Sequence, residues 1–233
     1  MMKKFVFLLL FLSTLAITPL MAQDHTYTIN VDEFSKLKVV NDIAVRYVSN
    51  PDSAGMAVYT CEDRMADAII FTNKGGTLKV SLHTDYVFLT GYLPTVTVYS
   101  SYLTSAENNS KASMEICNPT PCPEISLKQV GNGSIKADNI KATNVKATIA
   151  TGKGIITLSG KADYAKYEML GTGQIIADSL EANDVSCKVM GTGSIGCWPL
   201  DTLSVSGLAS TTVYYKGNPT IKKTGVVKIE RMP

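Results

Sequence analysis

Residues 171–190 read GTGQIIADSLEANDVSCKVM. Apolar side chains alternate along this stretch: Ile175 and Ala177, then Leu180 and Ala182 after one step, then Val185, Cys187 and Val189 after another. Asp178, Glu181 and Lys188 fall between them. Alternation with period two marks strands that bury one face, and each step that breaks the phase marks a corner. The same pattern runs through GNGSIKADNIKATNVKATIAT from Gly131 and, with one deletion, GKGIITLSGKADYAKYEML from Gly152. A shorter copy, GTGSIGCWPLDTLSVS, starts at Gly191. The opening glycines lie 21, 19 and 20 residues apart, and every copy begins G-x-G.

One copy cannot bury its own apolar row, but stacked copies can, because the row recurs one rung above. The expected fold is therefore all-β: a parallel β-helix, or β-solenoid, of about 20 residues per rung. The rung glycines Gly131, Gly133, Gly152, Gly154, Gly171, Gly173, Gly191 and Gly193 then serve sharp corners, where positive φ or close backbone approach excludes a side chain. Thr143-Asn144, Asp163-Tyr164 and Asn183-Asp184 fall at a second corner, and Asn and Asp tolerate left-handed backbone.

Residues 191–196, GTGSIG, also spell the dinucleotide pattern G-x-G-x-x-G. That fingerprint needs a preceding strand and a following helix within a βαβ unit. Here Cys197-Trp198-Pro199 follows, and the other copies carry Lys136, Thr157 and Ile176 where Gly196 stands. The match is accidental, and no cofactor is expected.

The chain begins with Lys3 and Lys4, an apolar run from Phe5 to Thr18, and Ala22 before a polar stretch. This is the form of a secretory signal peptide over residues 1–22, with cleavage expected after Ala22. No cysteine stands at the cut to accept a lipid. Without those residues the chain carries 20 basic and 20 acidic side chains, which gives no basic stripe for nucleic acid. The expected product is exported to the periplasm or the cell surface, and peripheral to the membrane at most.

Residues 23–105 are strand-rich without a visible repeat. Leu37 and Val39, then Ile43, Val45 and Tyr47, alternate around a turn at Asn41-Asp42. Asn50-Pro51-Asp52-Ser53 closes that pair, and a short helix is expected from Glu62 to Ala68. Residues 106–125 are polar and contain prolines, as in a loop or an irregular rung, and residues 126–233 form the β-helix rungs and a C-terminal cap. FSKLKVVNDIAV from Phe34, PTVTVYSSYL from Pro94, the G-x-G-x-I rungs and VYYKGNPTI from Val213 together resemble the bacterial family described as "putative auto-transporter adhesin, head GIN domain". The resemblance covers nearly the whole chain after the leader. It implies a β-helical, exported, adhesive or envelope-associated protein, and it supplies no catalytic residues.

Three positions are candidates for ligand contact: Trp198, the single tryptophan, and Tyr86 and Tyr92 in HTDYVFLTGYLP. Aromatic faces suit sugar rings or apolar partners, so a glycan or a surface protein is the expected partner class. The alternatives are structural: Trp198 packs on Pro199 and the terminal segment in the outward column of Asp138 and Asp178, and the tyrosines form the seam between the two regions. The rival function is a polysaccharide-cleaving β-helix using Asp138 and Asp178. Two rungs apart, these would be separated by about 9.6 Å, within the range of an inverting pair. A purely structural spacer is the third possibility.

His25 and His83 are the only histidines, and no cysteine lies at a ligand-like spacing from either, so no metal site is expected. Cys117 and Cys122, ends of CNPTPC, are expected to form a disulfide in an oxidising compartment. Cys187 and Cys197 align with inward Ala, Leu and Tyr positions of other rungs and are expected to stay reduced, on different walls, where they need not meet. Cys61 is expected to be unpaired and buried.

Overall fold

The computed structural model describes residues 24–86 and 93–232; the expected signal peptide and Tyr92 lie outside them. Strand accounts for 73% of the described residues. The only helix among the described residues is three short 3-10 turns, which settles the all-β class. The strands are β1 (Asp24–Asn30), β2 (Lys36–Val40), β3 (Val45–Ser49), β4 (Met56–Glu62), β5 (Ile69–Lys74), β6 (Thr77–Leu82), β7 (Val96–Ser100) and β8 (Ser105–Asn109). They continue as β9 (Ser113–Cys117), β10 (Cys122–Val130), β11 (Ser134–Thr151), β12 (Lys153–Met169), β13 (Thr172–Val189), β14 (Thr192–Tyr215) and β15 (Thr220–Arg231).

From β10 onward the pairing is parallel and rung on rung. Ile135 lies opposite Ile156, Ile156 opposite Ile175 and Ile175 opposite Ile195, offsets of 21, 19 and 20 residues. The result is a β-solenoid of about 6 turns. Gly152, Gly171 and Gly191 stand in one column, as do Gly154, Gly173 and Gly193. The inward columns are apolar and closed to water: Leu127, Ala147, Tyr167, Cys187 and Val205 on one wall, Ile116, Ala137, Leu158, Ala177 and Cys197 on another. Burying one Leu, Ile or Val side chain contributes about 1.5–3 kcal/mol, so each added rung deepens a continuous core.

The N-terminal region belongs to the same stack. β2 pairs in parallel with β6 and β8, and β3 with β7 and β9. The stacking order on one wall is therefore β6-β2-β8-β10, which is not the order of the chain. Residues 106–125, expected as a loop or irregular rung, supply most of β8, all of β9 and the start of β10, with Asn118–Pro121 as the connecting corner. β1 and β4 on one wall and β5 on the other pair antiparallel and close the first end of the stack. The helix expected from Glu62 to Ala68 is a 3-10 turn over Asp63–Ala68, which lays Met65 and Ala68 onto the core. Asn41 adopts φ 72°, and its side chain accepts the Leu82 N–H, so the Asn41-Asp42 turn also ties two rungs together.

The left-handed corner lies elsewhere than at Thr143-Asn144 and its equivalents. β11, β12 and β13 run on through those positions, where two adjacent outward side chains shift the phase without reversing φ. Left-handed backbone occurs instead at Asn118 (φ 46°) and Asn139 (φ 57°), stacked so that Asn139 Nδ2 donates to Asn118 Oδ1 at 2.6 Å.

All five cysteines are free thiols. The expected Cys117–Cys122 bridge is not formed. Cys117 ends β9 facing the Arg46 guanidinium, whose Nε donates to its sulfur at 3.4 Å, whereas Cys122 starts β10 beyond the corner and packs toward the core. Cys187 and Cys197 are free thiols buried on different walls, and the Cys197 sulfur donates to the Tyr214 carbonyl at 3.4 Å. The Cys197 sulfur and complete burial push the Cys187 thiol well above its ordinary range. Thiolates are the reactive form, so alkylation of the native protein should label Cys117 and Cys122, with Cys61, Cys187 and Cys197 labelling only after unfolding. Peptide mass mapping with and without denaturant measures this; native labelling of Cys187 would contradict the closed core.

Candidate ligand-binding face

The outward side chains of residues 122–206 stand in three parallel columns on one wall. The first runs Glu124, Asn144, Tyr164, Asp184, Thr202; the second Ser126, Lys146, Lys166, Ser186, Ser204; the third Lys128, Thr148, Glu168, Lys188, Ser206. Rung spacing of about 4.8 Å sets their vertical repeat. Between the first two columns lies an open trough of about 640 Å³. Tyr164 lies in it and is 55% exposed, more than any other aromatic residue described.

The wall is electrostatically ordered. Glu168 Oε2 meets Lys146 Nζ and Glu168 Oε1 meets Lys166 Nζ, each at 3.0 Å. Partial burial pushes the Glu168 carboxyl up, but the two lysines outweigh it and hold it at about 2 against an ordinary 4.5. Because the folded value is depressed, this contribution to stability is complete above the unfolded value and disappears as pH falls from about 4.5 towards 2. Glu168→Gln should therefore flatten the acid limb of stability across that window, read from chemical denaturation at successive pH values. Lower on the wall, Glu107 pairs with Lys38 at 2.9 Å and Lys128 at 3.3 Å in the same manner.

Two of the residues singled out in the sequence serve structural contacts. Trp198 does not share a column with Asp178. Cys197 lies opposite Ala177, and the next pairs are Glu181 with Trp198 and Ala182 with Pro199, so Asp178, Ser179 and Leu180 have no counterparts in this rung. Trp198 is half-buried beneath Lys216, whose Nζ lies 5.3 Å from the ring and donates to the Asp178 carbonyl at 2.7 Å. Tyr86 is partly buried against the core, and its hydroxyl donates to the Arg64 carbonyl at 3.2 Å. Tyr92 lies outside the described residues.

Asp138 and Asp178 do not form a facing acid pair. Asp138 is bound by Lys136 at 2.9 Å and by the Ser159 hydroxyl at 3.2 Å, while Asp178 faces Lys216 at 3.6 Å. Among the described residues no three His, Cys, Asp or Glu side chains are grouped to hold a metal ion. What the sequence left unmarked is the Tyr164 trough, and a ridge of exposed apolar side chains at the neighbouring corner. Leu170, Met190, Leu208 and Val226 stand one above another with exposures of 46, 64, 77 and 74%.

A single stack of parallel rungs, capped at one end and carrying its chemistry on outward columns rather than in a closed pocket, defines a surface-presenting β-solenoid. The family model described as "Putative auto-transporter adhesin, head GIN domain" matches residues 33–219, and the chain belongs to that family. Among solved structures, a "putative adhesin" from Bacteroides fragilis is similar at TM-score 0.80 and 22% identity, over 91% of this chain and 98% of that one. A "putative lipid binding protein" from Parabacteroides distasonis is similar at 0.70 and 19%, over 90% and 97%. A "putative adhesin" from the same organism is similar at 0.68 and 18%, over 91% and 98%. At these identities the likeness concerns the fold. No curated protein matches the chain.

Proposed function

We propose that this chain is an exported, non-enzymatic binding scaffold of the cell envelope, an adhesin whose outer wall meets a glycan or a surface protein. The observation that carries this reading is the wall itself: three outward columns keep their places rung after rung around an open trough, in a family described as adhesins. Such a surface presents many weak contacts in parallel and converges on no single reacting atom. The ion pairs at Asp138 and Asp178 favour this reading over polysaccharide cleavage, because an inverting pair needs a free acid and a free base flanking the bond.

The test combines location with activity. Expression of the full chain should yield a product beginning at Gln23 in the envelope fraction, which adheres to host or bacterial surface extracts and releases no reducing ends from polysaccharides. Release of reducing ends that disappears in Asp138→Asn or Asp178→Asn would establish the enzyme instead. A second reading is favoured by the ridge of Leu170, Met190, Leu208 and Val226, since exposed apolar patches mark contact surfaces. If that ridge makes the contact, Met190→Lys with Leu208→Lys removes adhesion while leaving the fold intact.

A further inference from the structure

We propose that the trough around Tyr164 binds a linear, uncharged oligosaccharide lying along the solenoid axis, an inference that rests on the adhesin reading above and names its ligand class. Tyr164 stacks on the apolar face of one sugar ring, and Asn144 below and Asp184 above hydrogen-bond the hydroxyls of the neighbouring rings. Large aromatic side chains are ordinarily buried. Tyr164 is 55% exposed in the middle of the trough, with Asn144 opposite it on one side and Asp184 on the other. An exposed ring flanked by short polar groups matches the two-sided chemistry of a pyranose, which has apolar C–H faces and a polar rim.

The charge of the wall selects for an uncharged chain. Lys146 and Lys166 face the trough but are both engaged by Glu168, which immobilises their ammonium groups and offsets their charge. Glu124 and Asp184 add negative charge along the same trough and Lys222 adds positive charge, so that with Glu168 three carboxylates match three lysines. A phosphate or sulfate chain would meet these carboxylates without a free pair of cations between them. A neutral chain instead meets fixed N–H donors from the lysines and hydroxyls from Ser186 and Ser204. The rung repeat of about 4.8 Å is comparable to the advance of a glycan per sugar, so successive rings meet equivalent columns. The groove of about 610 Å³ beside Asn118 and Pro119 has no aromatic residue in its lining, and Tyr59 and Phe71 in the groove of about 490 Å³ near Asn30 pack on the core.

The full mature protein is tested on an array of linear neutral oligosaccharides of increasing length, and the best binder is measured by calorimetry. Affinity should rise with chain length, change little with added salt, and fall about tenfold in Tyr164→Ala. Tyr164→Trp should keep binding, and Trp198→Phe should not affect it. Tyr164 is on the surface, so the thermal midpoint of Tyr164→Ala should match that of the parent, separating loss of contact from loss of fold. Unaltered binding by Tyr164→Ala would overturn the site. Binding confined to acidic glycans with steep salt dependence would overturn the ligand class. A blank neutral array from a protein that still adheres to surface extracts overturns this inference alone, whereas failure in both assays overturns the adhesin reading with it.

Discussion

Gly193→Val should yield no soluble, cooperatively folded protein. Gly193 has φ 136°, a region that a β-branched residue enters only at a cost. The second cost is steric, because a Cβ at this position would overlap the carbonyl oxygen of Gly173 in the rung below. Neither rung can move aside, since both are held by parallel pairing at Gly154, Gly173 and Gly193. Strain and overlap together exceed about 4 kcal/mol, the level at which a single substitution becomes exceptional and a marginally stable domain unfolds. Circular dichroism and the soluble yield after expression report the outcome. Gly75→Ala is the comparison: its Cβ meets nothing within 4 Å, so only the strain of φ 57° remains and the protein should still fold.

The second large effect concerns Tyr167. Its ring fills the inward column between Ala147 and Cys187, fully buried, and Tyr167→Ala should destabilise by about 3–5 kcal/mol through lost burial and a cavity. Tyr167→Phe should act in the opposite direction. The Tyr167 hydroxyl is buried without a hydrogen-bond partner among the described residues, and burial together with the Cys197 and Cys187 sulfurs pushes its pKa well above 10. Removing an unsatisfied buried hydroxyl relieves a desolvation penalty of about 1–3 kcal/mol, partly offset by the space it leaves. Thermal unfolding of the pair measures both signs. A loss of more than 1 kcal/mol in Tyr167→Phe, an order-of-magnitude threshold, would mean that an internal water or a sulfur satisfies the hydroxyl.

The rungs from Gly131 onward were legible in the sequence because period-two alternation and a recurring G-x-G report directly on one physical arrangement: an apolar row that only its copies can cover. The earlier rungs were not legible, since β2, β6 and β8 stack as neighbours but come from distant segments with no shared glycine pattern. Trp198 was misplaced because counting from Gly191 assumes equal corners, and this rung drops three corner residues. The trough escaped notice for a related reason. Tyr164 reads as a corner residue of one rung, but its place in the trough depends on Asn144 and Asp184, its register partners in the rungs on either side. The cysteines show the same limit: the alignment places Cys187 and Cys197 inward, but the influence of the Cys197 sulfur on the Cys187 thiol has no signature in the chain.

The stacking order β6-β2-β8 has a consequence for how such a molecule assembles when its chain is delivered from one end. A chain delivered N-terminus first presents β2 and β3 before β6 and β7, yet β6 and β7 belong underneath them. The first rung to appear is thus the second layer of the finished stack, and its lower face stays open until the hairpin of β5 and β6 and the strand β7 have arrived. From β8 onward each turn lands on a completed one, and assembly proceeds as a zipper in step with delivery. The antiparallel base is therefore the slow, self-exposing stage, and the repeating part is the stage that a moving chain can build as it comes.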